Sequence, residues 1–354
     1  MECGIIGLPG CGKTALFCAL TGTVASALPG GGVKPHIGVA QIPDPRLDII
    51  AKYISTRKIV PATIQFVDLP GVPADAGAAR ANAFLSHARQ VEAICHVVDC
   101  FSEATSAATV DKDIDSLQVE LILADLQVAE SSLHKTERPI RAGDKVAKAR
   151  AALLLKVLEP LNDGRPIPPL AQWSTPEQKM LKSYGMITAK PILYVANVAE
   201  NDLDGSSEAA KAVVRHAQSR GAAAVVICAA LEAELAELDE ADRAEMLGSL
   251  GLTESAIGPL ARAVNEVLGL ASFYTASDKE IRAWTIPAGA TAPEAAGVIH
   301  SDLQRGFIRA ECFAVDDLER HHDEKAIRAA GKLRSEGKHY QVQDGEVIHF
   351  LFNV

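Results

Sequence analysis

The side chains with the most specific chemistry stand near the start of the chain, in GLPGCGKT, Gly7 to Thr14. The segment matches G-x-x-x-x-G-K-[ST] in full and joins a short apolar run to a helical pattern. In such a loop the glycines let backbone N–H groups converge on an anion at a helix N-terminus. Lys13 then reaches the β- and γ-phosphates of a nucleotide, and the Thr14 hydroxyl is placed to ligate Mg2+. Cys11 lies among those N–H groups beside Lys13, surroundings that lower a thiol pKa. Alkylation there is expected to block nucleotide binding, unless the side chain is simply small and inert.

Two later segments complete such a site. FVDLPG places Asp68 at the end of a buried strand, where a carboxylate can hold Mg2+ through water. Its Gly71 amide can meet the γ-phosphate. NVAE, Asn197 to Glu200, closes another apolar run. GTPases carry Asn-Lys-x-Asp at this strand end, and the aspartate accepts two hydrogen bonds from guanine. Here the acid is Glu200 and Val198 replaces the lysine. The longer Glu carboxylate crowds the guanine amine, which points to ATP as the nucleotide. CAALEAEL, from Cys228, falls where the last base-contacting loop belongs.

The elements that must position these groups follow from apolar patterning. CGIIGL, ATIQFVDL, AICHVVDCF, PILYVANV and AAVVICAAL are short, continuous β-rich runs separated mostly by helical patterns. Strands buried on both faces of a largely parallel sheet have this signature, so an α/β domain is expected. Helices are expected at Lys13–Thr21, Arg80–Val91, Ser207–Arg220 and Glu254–Leu268. About ninety residues interrupt the third and fourth runs. There Ile114, Leu117, Leu121, Ala124 and Val128 mark an amphipathic helix, and VAKARAALLLKVLEPL a second, forming a helical hairpin with a basic tip. A third helix begins at STPEQ, with Thr175 as cap, Pro176 at the first helical position and Gln178 closing a capping box. After Leu270 strands EIRAWTIP, IRAECFAV and HYQVQDGEVIHFLF, the last pair joined near Asp344-Gly345, alternate with helices at Ala292–Gln304 and Asp323–Glu336. A small mixed domain with a curled sheet fits.

Composition limits the alternatives. The 354 residues are 48% hydrophobic and 23% charged, with no apolar run long enough to cross a bilayer. No membrane partner and no secretory signal are expected, and the seven scattered cysteines, none in a CxxC pair, suit reduced thiols in the cytoplasm. The net charge of −10 argues against indiscriminate nucleic-acid binding. Yet Lys135–Arg150 holds six Lys/Arg against two acids, and Lys325–Lys338 five against one. These two segments keep a polyanion such as RNA in play, and both are expected to meet RNA phosphates.

Beyond these motifs the chain resembles the YchF/Obg-like ATPases over essentially its whole length. CGIIGLPGCGKTALFCALTG, IPDPRLD, FVDLPG, NAFLSHAR, ELILADL, KPILYVANV, EIRAWTIPAGATAPEAAGVIHSDLQRGFIRAE and HFLFNV carry the resemblance. It implies a P-loop GTPase-like domain over 1–112 and 190–271, a coiled-coil insertion over 113–189 and a β-grasp TGS domain over 272–354. It also implies ATP preference, Mg2+ and association with the ribosome, for a protein expected to be a monomer. By resemblance, Gly10, Cys11, Gly12, Lys13, Thr14 and Ala15 grip the phosphates, with Gly7 opening the loop. Asn197 and Glu200 fall on the family's NxxE base-reading motif, and Leu231 on a nucleotide-contacting position. Lys13, Asp68 and Gly71 would serve hydrolysis, and Thr14 with Asp68 would hold the metal.

Three departures point to slow turnover. Gly32 falls where the family's first switch carries a metal-ligating Thr, and the second switch, GVPADAGAARANAF, is short. No histidine occurs between His96 and His134, where some members place one that assists hydrolysis. Val72 also stands where many GTPases orient water with glutamine. An ATPase, a non-hydrolysing nucleotide-stabilised binding module and a GTPase therefore stay open. A metabolic kinase lacks any sign of an acceptor pocket.

Overall fold

The computed structural model describes residues 1–24, 34–71 and 78–353, with 78–81 as backbone only. Gly32, Val72, most of the first switch segment and residues 72–77 of the second lie outside the described residues. The chain forms two compact units, Met1–Gly38 with Gln65–Leu260, and Val39–Ile64 with Ala261–Val354. Residues 39–64, placed by sequence with the nucleotide-binding domain, thus pack with the terminal residues.

In chain order the elements begin with β1 (Glu2–Ile6), α1 (Lys13–Thr21), β2 (His36–Gln41), α2 (Pro45–Tyr53), β3 (Ile59–Val60), β4 (Thr63–Asp68), α3 (Ala78–Gln90) and β5 (Ala93–Cys100). Three helices follow, α4 (Ala107–Arg141), α5 (Lys145–Asn162) and α6 (Thr175–Tyr184). Next come β6 (Ile192–Val198), α7 (Glu208–Ser219), β7 (Ala223–Ile227), α8 (Ala229–Glu237), α9 (Glu240–Ser249) and α10 (Ile257–Val267).

The first sheet has the order β2-β4-β1-β5-β6-β7 among the described residues. The pairs β1–β4, β1–β5, β5–β6 and β6–β7 are all parallel. Its central strands β1, β5 and β6 are buried almost throughout, as their continuous apolar runs require, while the edge strands β2 and β7 are partly exposed. Register aligns Ile5 with Asp68 and Cys95, Asp99 with Asn197, and Asn197 with Ile227. The phosphate loop, Asp68 and Asn197 therefore leave the sheet at the same carboxyl edge, where ligands of α/β folds bind. This is the expected P-loop α/β architecture, and the inserted helices of the ninety-residue interruption are present.

Helix α4 is capped by Ser106 and α5 by Asp144, and Ala142-Gly143-Asp144 turns the chain between them. Gly143 takes φ +87°, a left-handed turn that a β-carbon would strain. Ile122 and Ala129 of α4 pack against Leu153, Leu154, Val157 and Leu161 of α5. The middle of α4 is fixed differently. Asp125, fully buried, accepts hydrogen bonds from Arg89 Nη1 (2.9 Å), Ile187 N (3.0 Å), Thr188 N (2.8 Å) and Thr188 Oγ1 (2.9 Å). Arg89, in the last turn of α3, also donates to the Ala124 and Gly185 carbonyls. Lys190 Nζ closes the same helix end by donating to the carbonyls of Ala88, Arg89 and Val91. Burial pulls its pKa down to about 8.

One cap differs from the sequence expectation. Ser174, not Thr175, caps α6, and Glu177, not Gln178, completes the capping box. Gln178 instead donates to the Trp173 carbonyl at 2.9 Å. A register shift of one leaves Pro176 within the first turn, where its missing N–H costs nothing.

The second unit continues with β8 (Leu270–Ala276), β9 (Ile281–Pro287), α11 (Ala292–Ile299), α12 (Ser301–Arg305), β10 (Phe307–Ala314), α13 (Val315–His321), α14 (Glu324–Ala329), β11 (Arg334–Glu336) and β12 (Glu346–Phe352). Its sheet runs β11-β10-β12-β8-β9-β3. Phe273, Ile286, Phe307 and Phe350 form its core with Ala295 and Ala296 of α11. The expected hairpin at Asp344-Gly345 does not form. Strand β12 pairs antiparallel with β10 and parallel with β8, while Gln341 makes an isolated bridge to Thr291. Asp344 is used elsewhere: it accepts from Ser272 N at 2.7 Å and from Arg46 Nη1 at 2.6 Å. Asp44, capping α2, holds the same Arg46 and the Tyr274 hydroxyl. With β3 paired to β9, these bonds explain why 39–64 joins this unit. The basic helix expected at Asp323–Glu336 ends at Ala329, because Gly331 takes φ +68° and β11 follows. Among the described residues no helix is long and apolar enough to cross a membrane.

Candidate nucleotide-binding site

Loop 7–14 leaves β1 through three glycines with positive φ, +154° at Gly7, +85° at Gly10 and +91° at Gly12. Gly7 and Gly12 are also sterically required. A β-carbon at Gly7 would lie 2.4 Å from the Val97 carbonyl oxygen, and one at Gly12 would lie 2.1 Å from Asn197 Nδ2. Gly12 caps α1 without any side-chain hydrogen bond, so the first N–H groups of the helix stay available to an anion. Lys13, 7% exposed, lies back along the loop and donates from Nζ to the Leu8 carbonyl at 2.7 Å. Gly71 closes over it: a methyl there would sit 3.0 Å from Lys13 Nζ.

Thr14 and Asp68 meet as the spacing required. Thr14 Oγ1 donates to Asp68 Oδ2 at 3.0 Å. Asp68 Oδ1 is buried and lacks a hydrogen-bond partner among the described residues. A buried carboxylate oxygen without a donor is costly, and a cation coordinated beside it would remove that cost. The hard oxygens of Thr14 and Asp68 suit Mg2+. No group of three or more His, Cys, Asp or Glu is placed to hold a metal among the described residues, so the remaining ligands of such an ion would be phosphate and water. His36 Nδ1 lies 3.4 Å from Asp68 Oδ2, a neighbour that no motif announced.

A cleft of roughly 1030 Å3 opens beside the loop, walled by Gly12, Ala15, Phe101, Asn197 and Glu200. Asn197 binds the walls together. Its Nδ2 donates to the Cys11 carbonyl at 2.9 Å, and its Oδ1 accepts the Ala229 amide at 2.9 Å. Among the described residues the second Nδ2 hydrogen has no hydrogen-bond partner. Glu200 is exposed at the far side of the cleft. Behind it Asp202 accepts from Ser207 N at 2.9 Å and Ser206 Oγ at 3.2 Å, fixing the loop after β6. Asp99 does the same after β5, accepting from the Phe101 and Ser102 amides. These two Asx-type turns were not singled out from sequence, although an acid at each strand end is the signal.

The Leu231 side chain is 2% exposed, packs in the core with Val198, Val213 and Leu235, and is not among the side chains that wall the cleft. One expectation fails on geometry. Cys11 is not an activated thiol. It is 3% exposed, and burial pushes its pKa up more strongly than the Lys13 charge and the loop amides pull it down.

The 50S ribosome-binding GTPase family model matches residues 2–130. A model for the C-terminal part of YchF proteins, described as a protein of unknown function, matches residues 270–353. The ribosome-binding ATPase YchF of Pasteurella multocida and that of Haemophilus influenzae are each 41% identical over 362 aligned positions, covering 100% of this chain and 99% of theirs. The Bacillus subtilis counterpart is 39% identical with full coverage of both chains. The solved YchF GTPase of Schizosaccharomyces pombe superposes with a TM-score of 0.84 at 29% identity, over 99% of this chain and 97% of that one. With an intact phosphate loop and relatives matched end to end, the chain belongs to the YchF family of Obg-related P-loop ATPases.

Proposed function

We propose that the protein binds and hydrolyses ATP and uses the bound nucleotide to control docking on the ribosome. The observation that carries the chemistry is the convergence of Lys13, Thr14 and Asp68 at one sheet edge, where the buried Asp68 Oδ1 has no hydrogen-bond partner among the described residues. The relatives' name, ribosome-binding ATPase, supplies the partner. In this reading Gly7, Gly10, Cys11, Gly12 and Ala15 contribute backbone to the phosphate cradle, and Lys13 neutralises phosphate charge. Thr14 directly and Asp68 through water would hold Mg2+, which offsets charge on the phosphates when bound. The Gly71 amide faces the γ-phosphate. Asn197, Glu200 and the Leu231 backbone border the base.

The same reading takes α4–α5 as a coiled-coil arm over 113–189, residues 272–354 as a TGS domain and the rest as the nucleotide domain. The protein works as a cytoplasmic monomer. Turnover is slow, since Gly32 supplies no switch oxygen.

Competition calorimetry tests the nucleotide. Losing a charge-assisted pair costs about 1.5–3 kcal/mol, so ATP should win over GTP by roughly tenfold or more, and Glu200→Asp should narrow the gap. Tighter GTP binding by the wild type would return the protein to the GTPases, with the Schizosaccharomyces pombe YchF GTPase. Lys13→Ala and Thr14→Ala should each weaken Mg-nucleotide binding. Single-turnover hydrolysis with and without ribosomes separates an ATPase from a non-hydrolysing module.

A further inference from the structure

Another cavity, of about 190 Å3, opens within the first unit and shares no wall residue with the nucleotide cleft. Its floor is the sheet face that carries Ile94 and His96 of β5 with Ile192 and Tyr194 of β6, and α4 and the proline-rich turn 166–169 form its sides. Most of the lining is aliphatic, and Ile114, Leu121, Ile167 and Ile187 in it are buried. His96 is the exception on the floor. It is 5% exposed and packs on the Tyr194 ring at 5.5 Å, yet neither of its nitrogens has a hydrogen-bond partner among the described residues. Burial, with His216 and Lys13 nearby, pushes its pKa down to about 3, so the ring is neutral at pH 7 and keeps one donor and one acceptor. Such a ring is costly to bury unless a guest in the cavity bonds to it.

Charge around this cavity has one sign. Arg220, which caps α7, donates through Nη2 to Gln118 Oε1 and lies beside the Tyr194 hydroxyl. Among the described residues it makes no ion pair, and its other guanidinium N–H groups have no hydrogen-bond partner. Lys190 also lines the cavity, although its ammonium already donates to three carbonyls. No Asp or Glu lines it; Asp115, whose charge reaches Tyr194, is not in the wall. A guanidinium without a counter-ion beside a mostly aliphatic, low-dielectric space favours an anion over a neutral or cationic guest. Inorganic phosphate would satisfy Arg220 but leave the aliphatic walls without contact. An apolar cavity of about 150 Å3 accepts benzene, so this one has room for a six-membered ring and one carboxylate. Tyr194 joins the two polar groups, its ring on His96 and its hydroxyl beside Arg220. We infer that the cavity is a binding site for a small organic carboxylate whose apolar body is about the size of a benzene ring. The carboxylate accepts from Arg220 and the His96 N–H, and the body packs against Ile114, Leu121 and Ile187.

The test uses the full chain and fluorobenzoate, followed by fluorine NMR. A ligand of this size should bind with a Kd of about 1 mM or tighter. Saturating Mg-ATP should not displace it, because the two cavities have no wall in common. Arg220→Gln should weaken the probe at least about tenfold, as expected for a lost charge-assisted bond. His96→Phe, which keeps a ring against Tyr194, should weaken it about three- to tenfold. Both should hold ATP affinity within about twofold of the wild type, as for sites without shared partners, and urea unfolding checks each fold. Acetate has the charge without the body, and benzamide the body without the charge; each should compete at least about tenfold more weakly than benzoate. If either variant fails to fold, these ligand comparisons on the wild type decide. No binding at about 10 mM, displacement by ATP, competition by acetate or benzamide equal to that of benzoate, or wild-type affinity in folded Arg220→Gln would overturn the inference.

Discussion

Asn197→Ala asks whether this side chain reads a base or holds the phosphate loop in shape. The carboxamide is 4% exposed and makes two hydrogen bonds of 2.9 Å, to the Cys11 carbonyl and from the Ala229 amide. Truncation leaves that carbonyl and that amide without partners. A buried orphan costs about 1–3 kcal/mol, so the pair costs about 2–6. Water from the adjoining cleft can reach the gap, which places the expected loss at the lower end, about 2–3 kcal/mol. The loss falls on the loop, because Gly12 turns directly against Asn197 Nδ2. If half of it must be restored on binding, nucleotide affinity drops by roughly tenfold. Urea unfolding measures the first quantity and calorimetry the second. The deciding ligand is inorganic tripolyphosphate, which has no base. A loop-holding Asn197 predicts that tripolyphosphate and ATP weaken together. Weakened ATP with unchanged tripolyphosphate, or an unchanged unfolding midpoint, would refute the argument.

Asp125→Ala should destabilise the protein by about 3–5 kcal/mol, as expected when one partner of a buried ion pair is removed. Asp125→Asn should still cost about 1–3, since either orientation of the amide turns N–H toward a backbone donor that both carboxylate oxygens now accept; a loss below about 1 would contradict the hydrogen-bond assignment. His96 is held neutral, its pKa pushed down to about 3 by burial and by the neighbouring His216 and Lys13. The unfolded chain therefore binds more protons between about pH 6.5 and 3, so this contribution is complete above 6.5 and fades as pH falls, by up to about 1.4 kcal/mol per unit. His96→Phe should flatten the fall in stability between pH 7 and 5, and parallel curves would count against it. Cys11 should react slowly with iodoacetamide at equal rates with and without ATP; fast, ATP-protected labelling would restore an activated thiol.

The phosphate loop was legible because its glycines, lysine and threonine are consecutive and each has a separate physical reason to be there. Thr14 and Asp68 are 54 residues apart, yet the strand ends that carry them could be read from apolar runs, and they meet. What stayed hidden depends on registers that local pattern does not fix. Ser174 and Thr175 are equally good caps by type, and packing chose Ser174. Asp344-Gly345 has the composition of a hairpin turn, but its aspartate is claimed by Ser272 and Arg46, far away in sequence. Leu231 shows the same limit at the site, since its helix phase turns the side chain into the core. Charge counts could not show that Glu346 and Glu311, distant in sequence, pair with two of the five cations of the terminal basic segment.

The anchoring of α4 at Asp125 gives the hairpin a gear ratio. From Asp125 to Arg141 the helix runs sixteen residues, about 24 Å at 1.5 Å per residue. Its grip on α3 acts across one helix–helix spacing, about 8–10 Å. Were α4 to tilt about Asp125 against the core packing of its first half, a displacement at the Arg89 end of α3 would be multiplied by roughly two and a half at the tip. A shift of about 0.5 Å, small enough for the Arg89–Asp125 bond to survive, moves the tip by more than 1 Å. Hydrogen bonds at the root absorb such a step unbroken, while a set of phosphate contacts at the far end would have to be remade.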